Sequence, residues 1–202
     1  MNENASMQFF DQQFRRQVAA GEYVLNPFET AALPYLHGSV LDYGCGLGNL
    51  AVEAARRGCP VLALDASHTA IDRLRSVATR DGLPLRAEQA DLRSHKLTED
   101  FDAVVCIGLL MFFDCPTANQ QLAQLQARVR PGGVIVMTLL TEGTTYMDMF
   151  APEGHCLFTD DSLRAKFAQW EIVSFTPQDF PAPNDTRKVF ATVIARKPGL
   201  PA

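Results

Sequence analysis

The stretch Val40-Leu41-Asp42-Tyr43-Gly44-Cys45-Gly46-Leu47-Gly48-Asn49 joins an apolar run to three alternating glycines. Residues 40–43 are predicted to form a buried strand, and residues 50–57 a helix that Gly58 ends. The glycines therefore lie in a turn between a strand and a helix. Glycine adopts backbone conformations that side chains forbid, and it lets a ligand approach the main chain where the amides of the helix start point outward. This stretch predicts a nucleotide-type binding site.

The spacing of the glycines narrows the choice of nucleotide. A dinucleotide fingerprint, G-x-G-x-x-G, needs its third glycine at the position that Asn49 occupies. A phosphate-binding P-loop ends in Gly-Lys followed by Ser or Thr, and this stretch has no such ending. The pattern therefore favours neither of these two sites.

A second apolar run, residues 61–64, ends in Asp65. Parallel strands bring their carboxyl ends to one edge of a sheet, so Asp65 is expected beside the glycine turn. A carboxylate there can accept hydrogen bonds from both hydroxyls of a ribose. The alternative is that Asp65 caps the helix predicted over residues 68–79, but Ser67 can supply that cap instead. We therefore expect Asp65 to bind a ribose.

The glycine stretch resembles the first motif, D/E-x-G-x-G-x-G, of the class I S-adenosylmethionine-dependent methyltransferases, with Asp42, Gly44, Gly46 and Gly48 at its four defined positions. The resemblance implies that Asp91 contacts the exocyclic amine of adenine, although an Asp in this context can also be a plain turn residue. It further implies that S-adenosyl-L-methionine is the cofactor. The implied cofactor-binding residues are Asp42, Gly44, Cys45, Gly46, Gly48, Asp65, Ala66, Asp91, Leu92 and Ile107.

The order of the remaining elements predicts the fold. Residues 101–107 form a strongly apolar strand whose carboxyl end is expected beside the cofactor, while Asp102 lies at the opposite end and is interpreted as structural. Two β-rich runs at the end of the chain are separated only by a proline-rich loop, which calls for an antiparallel pair. We expect an α/β fold with a Rossmann-like, doubly wound, seven-stranded sheet, mostly parallel with an antiparallel C-terminal strand. The later elements are predicted as a helix over 116–129, a strand over 134–140, a helix over 159–168 and strands over 170–176 and 188–196.

The length of 202 residues and a hydrophobic content of 47% fit a single globular domain. Residues 1–34 are predicted to be an N-terminal helical lid segment, and residues 35–202 the class I methyltransferase domain. This first segment either packs on the sheet edge or covers the cofactor and substrate, and one helix can do both. Arg15 and Arg16 are candidates to pair with the methionyl carboxylate. The segment carries five aromatic residues, Phe9, Phe10, Phe14, Tyr23 and Phe28.

Charge and cysteine content bear on partners and location. A net charge of −5 argues against a nucleic-acid substrate, because binding to a phosphate backbone needs a basic surface. Neither a signal peptide nor a membrane span is predicted, and we expect a cytoplasmic protein. The odd number of five cysteines without a C-x-x-C pair predicts reduced thiols and no metal site.

A narrower resemblance, to the tellurite-resistance (type B) and thiopurine-methyltransferase-like group, lies in the second half of the chain. It rests on residues 109–113, Arg130-Pro131-Gly132-Gly133 and the ending Phe190-Ala191-Thr192-Val193-Ile194-Ala195-Arg196-Lys197. It implies methylation of tellurium or selenium oxyanions. The chain departs from the group's pattern because the loop over residues 178–186 lacks a His-Arg pair. His155 and Arg187 could supply comparable groups, or they are a surface histidine and a strand-entry arginine.

The acceptor is expected to be a small, fairly soft molecule, a chalcogen oxyanion or a thiol, enclosed near the apolar residues 109–113. Tyr146, His155 and Phe158 are predicted wall residues of the acceptor site. No residue is assigned as a catalytic base, because a soft anion mainly needs positioning and exclusion of water. Two alternatives stay open at this level, a non-catalytic S-adenosylmethionine-binding module and a nicotinamide-dependent oxidoreductase.

Overall fold

The computed structural model describes residues 5–21, 23–150 and 154–199, with only the backbone given within residues 5–9. The described residues form seven strands, six α-helices and two short 3-10 helices, Leu33–Tyr35 and Leu110–Phe112. The strands are β1 (Val40–Tyr43), β2 (Val61–Asp65), β3 (Leu85–Gln89), β4 (Phe101–Ile107), β5 (Val129–Leu140), β6 (Glu171–Ala182) and β7 (Thr186–Arg196). The α-helices are α1 (Ala5–Ala20), α2 (Pro27–Ala32), α3 (Asn49–Arg56), α4 (His68–Asp81), α5 (Cys115–Arg128) and α6 (Asp160–Lys166).

The seven strands form one sheet in the order β3-β2-β1-β4-β5-β7-β6. Strands β1 to β5 pair in parallel, and β7 is antiparallel to both of its neighbours, β5 and β6. All four residues of β1 are buried, as expected for a parallel strand covered by helices on both faces. The predicted fold, a mostly parallel seven-stranded sheet with an antiparallel C-terminal strand, is confirmed.

Local capping explains where several helices begin. The Ser67 side chain accepts a hydrogen bond from the Ala70 amide at the start of α4, so Ser67, and not Asp65, supplies the cap of this helix. Asn26 and Glu29 form a capping box at the start of α2. Within the described residues, no helix combines the length and the apolar character needed to cross a bilayer.

Strand β5 begins earlier than predicted. It starts at Val129, directly after α5 ends at Arg128. Its pairing with β4 shifts register between the pairs Phe101–Val129 and Ala103–Val134. The Arg130-Pro131-Gly132-Gly133 stretch is therefore an irregularity within the strand pairing as well as the stop after the helix. At this end of the sheet, Asp102 accepts hydrogen bonds from the Ser39 amide (2.7 Å) and from Arg130 (2.9 Å).

The prediction of a proline-rich loop between the last two strands is wrong. Strands β6 and β7 pair along a hairpin that runs from Glu171–Arg196 to Ala182–Thr186. Three residues, 183–185, separate the last paired positions. Asn184 (φ 58°) and Asp185 (φ 56°) are the two central residues of the turn that the Thr186 amide closes on the Pro183 carbonyl oxygen (3.3 Å), because Asn and Asp tolerate the left-handed conformation. The prolines of β6 are compatible with pairing since β6 is the last strand in the sheet order and has a free edge.

The prediction that all five cysteines are reduced is also wrong. Cys115, the first residue of α5, forms a disulfide with Cys156, while Cys45, Cys59 and Cys106 are free and buried. The 41-residue separation of the two cysteines hides this pair from sequence, because only the fold brings their Cα atoms to 4.8 Å. The disulfide ties the start of α5 to the segment that follows residue 153.

Candidate functional site

A large cavity opens at the carboxyl ends of the parallel strands and encloses about 820 Å³. This volume lies in the upper part of the range of roughly 300–1,000 Å³ for small-molecule sites. All ten predicted cofactor-binding residues line it, from four different strand ends and the turns that follow them. They are Asp42, Gly44, Cys45, Gly46, Gly48, Asp65, Ala66, Asp91, Leu92 and Ile107. That these residues bind a cofactor stays a prediction.

The glycine turn adopts the left-handed conformation at all three glycines, with φ of 81° at Gly44, 52° at Gly46 and 67° at Gly48. The three positions differ in what a side chain would meet. A Cβ on Gly46 would come within 3.2 Å of the Phe14 ring, whereas a Cβ on Gly48 would lie 2.4 Å from Leu74 in the core. Gly46 is therefore needed at the cavity, and Gly48 mainly for the packing of α3 against α4.

Asp65 holds the glycine turn as well as facing the cavity. Its Oδ2 accepts a hydrogen bond from the Gly46 amide (2.8 Å), and its Oδ1 accepts one from the Ser67 amide (2.8 Å). Each carboxylate oxygen retains capacity for a further hydrogen bond. Burial raises the pKa of Asp65, and the two amides oppose that rise. The side chain can thus accept ribose hydroxyls while it fixes the turn.

Asp42 lies buried at the end of β1, close to two other carboxylates. Burial, followed by repulsion from Glu29 and then Asp65, raises the pKa of Asp42 to about 8. Burial also raises the pKa of Glu29, a cavity-lining residue of α2 that the sequence did not single out. In the described part of the chain, none of the three carboxylates forms a salt bridge. This end of the cavity is therefore suited to a cationic group.

The Asp91 carboxylate already has a hydrogen-bonding partner, which the sequence did not indicate. Its two carboxylate oxygens accept hydrogen bonds from the Arg93 guanidinium, each at 2.9 Å, and this partner lowers the pKa of Asp91. The neighbouring residue is fixed by Tyr43, whose buried hydroxyl donates to the Leu92 carbonyl oxygen (2.8 Å). Asp91 and Leu92 both face the cavity, where an adenine amine would share Asp91 with Arg93.

Helix α1 lies against the glycine turn and the first residues of α4. Asp11 accepts a hydrogen bond from the Ser67 hydroxyl (2.7 Å), and Phe10 packs edge-on against Phe112 with ring centroids 4.9 Å apart. Arg15 pairs with Asp11 at 2.9 Å on the solvent side, and Arg16 is exposed. Neither arginine is among the cavity-lining residues, so the structure does not support them as carboxylate ligands. The polar residues of α1 that do face the cavity are Gln13 and Gln17.

The other aromatic residues of the N-terminal segment have separate roles. The Tyr23 ring lies under the Arg73 guanidinium, whose carbon is 3.9 Å from the ring centroid. Phe28 packs against Phe190 of β7 with ring centroids 5.0 Å apart. The side chain of Phe9 lies outside the described residues.

Only one of the three predicted acceptor-site wall residues lines the cavity. Tyr146 does so, while Phe158 is buried in the core and His155 stacks on Phe150 without reaching the cavity. Arg187 also points away, because its Nε donates to the Gly143 carbonyl oxygen at 3.0 Å. The next residue, Lys188, faces the cavity instead. The alternation of side chains along the predicted strand over residues 188–196 puts Lys188 on the same face as Phe190, which also lines the cavity, and is the signal that could have found it.

The comparisons with known proteins agree with this geometry. Residues 40–133 match the family model described as a methyltransferase domain. Hemagglutinin 1 of Eikenella corrodens is 30% identical over 169 residues, which are 79% of this chain and 54% of that protein. The ubiquinone biosynthesis O-methyltransferase of Photorhabdus laumondii is 30% identical over 128 residues, which are 57% of this chain and 52% of that protein. The chain spans about half the length of these relatives.

Among solved structures, TehB from Haemophilus influenzae superimposes with a TM-score of 0.75 and 17% identity. The match covers 95% of this chain and 67% of TehB. At this identity the likeness shows a shared fold.

Proposed function

We propose that the chain is a class I S-adenosylmethionine-dependent methyltransferase that transfers a methyl group to a small-molecule acceptor, in keeping with the methyltransferase-domain match over residues 40–133 and with the fold. The observation that carries the proposal is the convergence of four strand ends on one cavity. The glycine turn, Asp65, Asp91 with Leu92, and Ile107 all face the same space. We propose that these residues, together with Asp42, Cys45 and Ala66, bind S-adenosyl-L-methionine.

The chemistry of the cavity fits that cofactor. When bound, S-adenosylmethionine supplies an activated methyl group on a positively charged sulfonium. Glu29, Asp42 and Asp65 form a cluster of carboxyl groups without a basic partner in the described part of the chain, and a bound cation such as the ammonium of the methionyl group would favour their ionised forms. Gly46 projects no side chain into the cavity, so a ligand can approach the backbone there.

The protein's own task is to orient the acceptor and exclude water. The N-terminal segment, residues 1–34, is proposed as the lid, with Phe10 and Phe14 of α1 facing the cavity. Closure over an apolar site strengthens the electrostatic interactions within it. The acceptor is proposed to be a chalcogen oxyanion or a thiol, in keeping with the resemblance of the second half of the chain to the tellurite-resistance group. The net charge of −5 supports a small molecule over a nucleic acid.

A cytoplasmic site of action stays a prediction. The bond between Cys115 and Cys156 would be unusual in that compartment, where thiols are kept reduced. The redox state of this pair in purified protein, measured by thiol alkylation before and after reduction, bears directly on the location.

Calorimetric titration is the first test of the proposed function. We expect S-adenosylhomocysteine to bind at low micromolar strength, roughly 8 kcal/mol, and NADH not to bind. Gly46→Val should abolish binding, because it places a branched side chain at φ 52° beside Phe14. Gly58→Val is the matched control, since Gly58 also has a positive φ of 88° but its Cβ would meet nothing within 4 Å.

Turnover then separates an enzyme from a binding module. A transfer assay with labelled S-adenosylmethionine across tellurite, selenite, thiols, amines and phenols should label at least one small acceptor. Tight S-adenosylhomocysteine binding without any methyl transfer would point to a non-catalytic module. Binding of NADH in place of S-adenosylhomocysteine would refute the proposed cofactor.

A further inference from the structure

The cavity extends beyond the predicted cofactor residues toward strands β5 and β7. The cofactor residues come from β1 to β4 and the turns after them, which form one half of the sheet edge. Since β7 is antiparallel, its first residues lie at the carboxyl end of β5, where Leu140 pairs with Phe190. The second half of the cavity is therefore built by Thr138, Leu140, Tyr146, Met149, Lys188 and Phe190.

Lys188 is a cation in this half of the cavity, and it has no carboxylate partner among the described residues. Its Nζ lies 4.6 Å from the centroid of the Tyr146 ring, and the side chain is partly buried. Throughout the described part of the chain, no Asp or Glu oxygen lies within 4.0 Å of that nitrogen. The other basic residue of the cavity wall, Arg93, is already paired with Asp91 at 2.9 Å. Lys188 is thus available to a ligand anion.

Backbone hydrogen bonds hold Lys188 and Tyr146 in register. The Thr141 amide donates to the Val189 carbonyl oxygen (2.8 Å), and the Tyr146 amide donates to the Arg187 carbonyl oxygen (3.1 Å). The Val189 amide in turn donates to the Thr144 hydroxyl (3.0 Å). The loop after β5 is therefore fastened to the start of β7 on both sides of Lys188. The backbone from which the Lys188 side chain projects is therefore part of the sheet and not of a free loop.

Apolar and aromatic side chains line much of the same cavity, among them Phe10, Phe28, Phe112 and Phe190. Phe112 packs against Phe10 and Phe150 at centroid distances of 4.9 and 5.3 Å, and Phe28 packs against Phe190 at 5.0 Å. A bare inorganic oxyanion would engage the ammonium but leave these walls without a partner. An uncharged thiol would fill the walls but leave the ammonium unused. The arrangement fits a ligand with both an anionic group and an apolar body.

We propose that Lys188 is a specificity-determining residue that binds the carboxylate of an aromatic or similarly apolar thiol acid, the methyl acceptor. This inference rests on the proposed methyltransferase function and names its substrate class. The thiol first releases its proton to solvent; a sulfur lone pair then forms the bond to the methyl carbon. The bond from that carbon to the sulfonium breaks, and its electron pair stays on the sulfur, so that the neutral thioether S-adenosylhomocysteine is the leaving group. Charge and atoms balance without a further reactant.

The test compares two acceptors that differ only in the charged group. Wild-type protein should methylate 4-mercaptobenzoate with a KM at least tenfold below that for 4-methylbenzenethiol. Lys188→Met keeps most of the side-chain stem and removes the charge, so it should raise the KM for 4-mercaptobenzoate at least tenfold. The KM for 4-methylbenzenethiol and the Kd of S-adenosylhomocysteine should stay within twofold. Lys188→Arg should restore part of the preference.

Arg187→Met provides the matched control, because it removes the same charge from the adjacent residue, which points away from the cavity. It should leave the acceptor preference unchanged. A second measurement does not depend on methyl transfer. Calorimetry gives the Kd of the product 4-(methylthio)benzoate for the complex with S-adenosylhomocysteine. This Kd should rise at least tenfold in Lys188→Met and stay unchanged in Arg187→Met.

The outcomes separate this inference from the proposed function. Methylation of selenite or tellurite alone, equal use of both thiols, or an equal loss for both thiols in Lys188→Met would overturn the role of Lys188 and leave the methyltransferase function standing. Failure to bind S-adenosylhomocysteine at all would overturn both.

Discussion

At the residue scale, three carboxylates set the charge of one end of the cavity. Glu29 comes from α2, Asp42 from the end of β1 and Asp65 from the end of β2. Burial raises the pKa of all three. Buried like charges disfavour one another's ionised form. A cationic ligand therefore favours the ionised carboxylates, which the empty cavity disfavours. Substitutions of Asp65 and Asp42 test the two roles of this cluster, ligand binding and pH-dependent stability.

Asp65→Ala should weaken S-adenosylhomocysteine binding by about 2 kcal/mol, because hydrogen bonds from ribose hydroxyls to a charged acceptor are lost. The substitution also removes the partner of the Gly46 amide, so a binding loss alone does not identify the contact. The measurement is a double-mutant cycle with S-adenosylhomocysteine and its 2′-deoxy analogue on wild type and variant. The hydroxyl should contribute to wild-type affinity and contribute nothing in Asp65→Ala. Equal contributions in both proteins would refute the ribose assignment.

Asp42 should make the empty protein less stable as pH rises. Its folded-state pKa of about 8 lies above the ordinary value of about 3.9, so the folded state binds the extra proton between these limits. The stabilisation that Asp42 contributes is therefore complete below about pH 4 and is lost as pH rises toward 8.

Asp42→Asn removes the titration and keeps an oxygen that can accept from the Ala51 amide. Urea unfolding measures the free energy of unfolding of both proteins at pH 5 and at pH 8. From pH 5 to pH 8 the variant should gain a few kcal/mol relative to wild type. Wild type loses about 1.4 kcal/mol per pH unit over this range, because only its folded state keeps the Asp42 proton. Parallel pH profiles for the two proteins would show that Asp42 is ionised in the folded state throughout.

At the element scale, the disulfide between Cys115 and Cys156 joins α5 to the chain before α6. The Cys156 amide also donates to the Met111 carbonyl oxygen (3.1 Å), and Met111 lines the cavity. Closing a loop over a sequence separation of 41 residues should stabilise the fold by about 4 kcal/mol in the chain-entropy account.

Reduction of the wild type should therefore lower its free energy of unfolding in urea by up to that amount. The double variant Cys115→Ser with Cys156→Ser should match reduced wild type and be indifferent to reductant. Equal sensitivity to reductant in wild type and double variant would show that this pair is not the stabilising bond.

At the scale of the whole molecule, ligand binding should stabilise the fold as a unit. S-adenosylhomocysteine at one hundred times its Kd should add about 2.7 kcal/mol, which corresponds to a rise in Tm of roughly 5–10 °C for a chain of this size. Differential scanning fluorimetry measures this rise directly. NADH should produce no shift, and Gly46→Val should lose the shift while Gly58→Val keeps it. A shift with NADH of similar size would argue for a general nucleotide site.

Most of the parallel half of the sheet was predictable from local pattern. The glycine stretch, the apolar strands β2 and β4, and the cap at Ser67 are encoded within a few residues of one another. The antiparallel pairing of the last two strands was predicted, but the extension of β6 to Ala182 was missed because prolines usually break strands, and only the free edge of β6 makes them compatible with pairing. Lys188 lay within the predicted strand over residues 188–196, but the sequence did not show which face of that strand borders the cavity.

The sequence by itself determined the order of the elements and the ten residues that meet at the cavity, because the ends of parallel strands converge wherever their order is known. The tertiary structure alone decided the rest. It paired Cys115 with Cys156, turned Arg15 and Arg187 outward, and brought Glu29 and Lys188 into the cavity. Apart from the pairing of Arg15 with Asp11 within α1, these contacts join residues far apart in the chain, and side-chain direction and burial there depend on packing that no local pattern encodes.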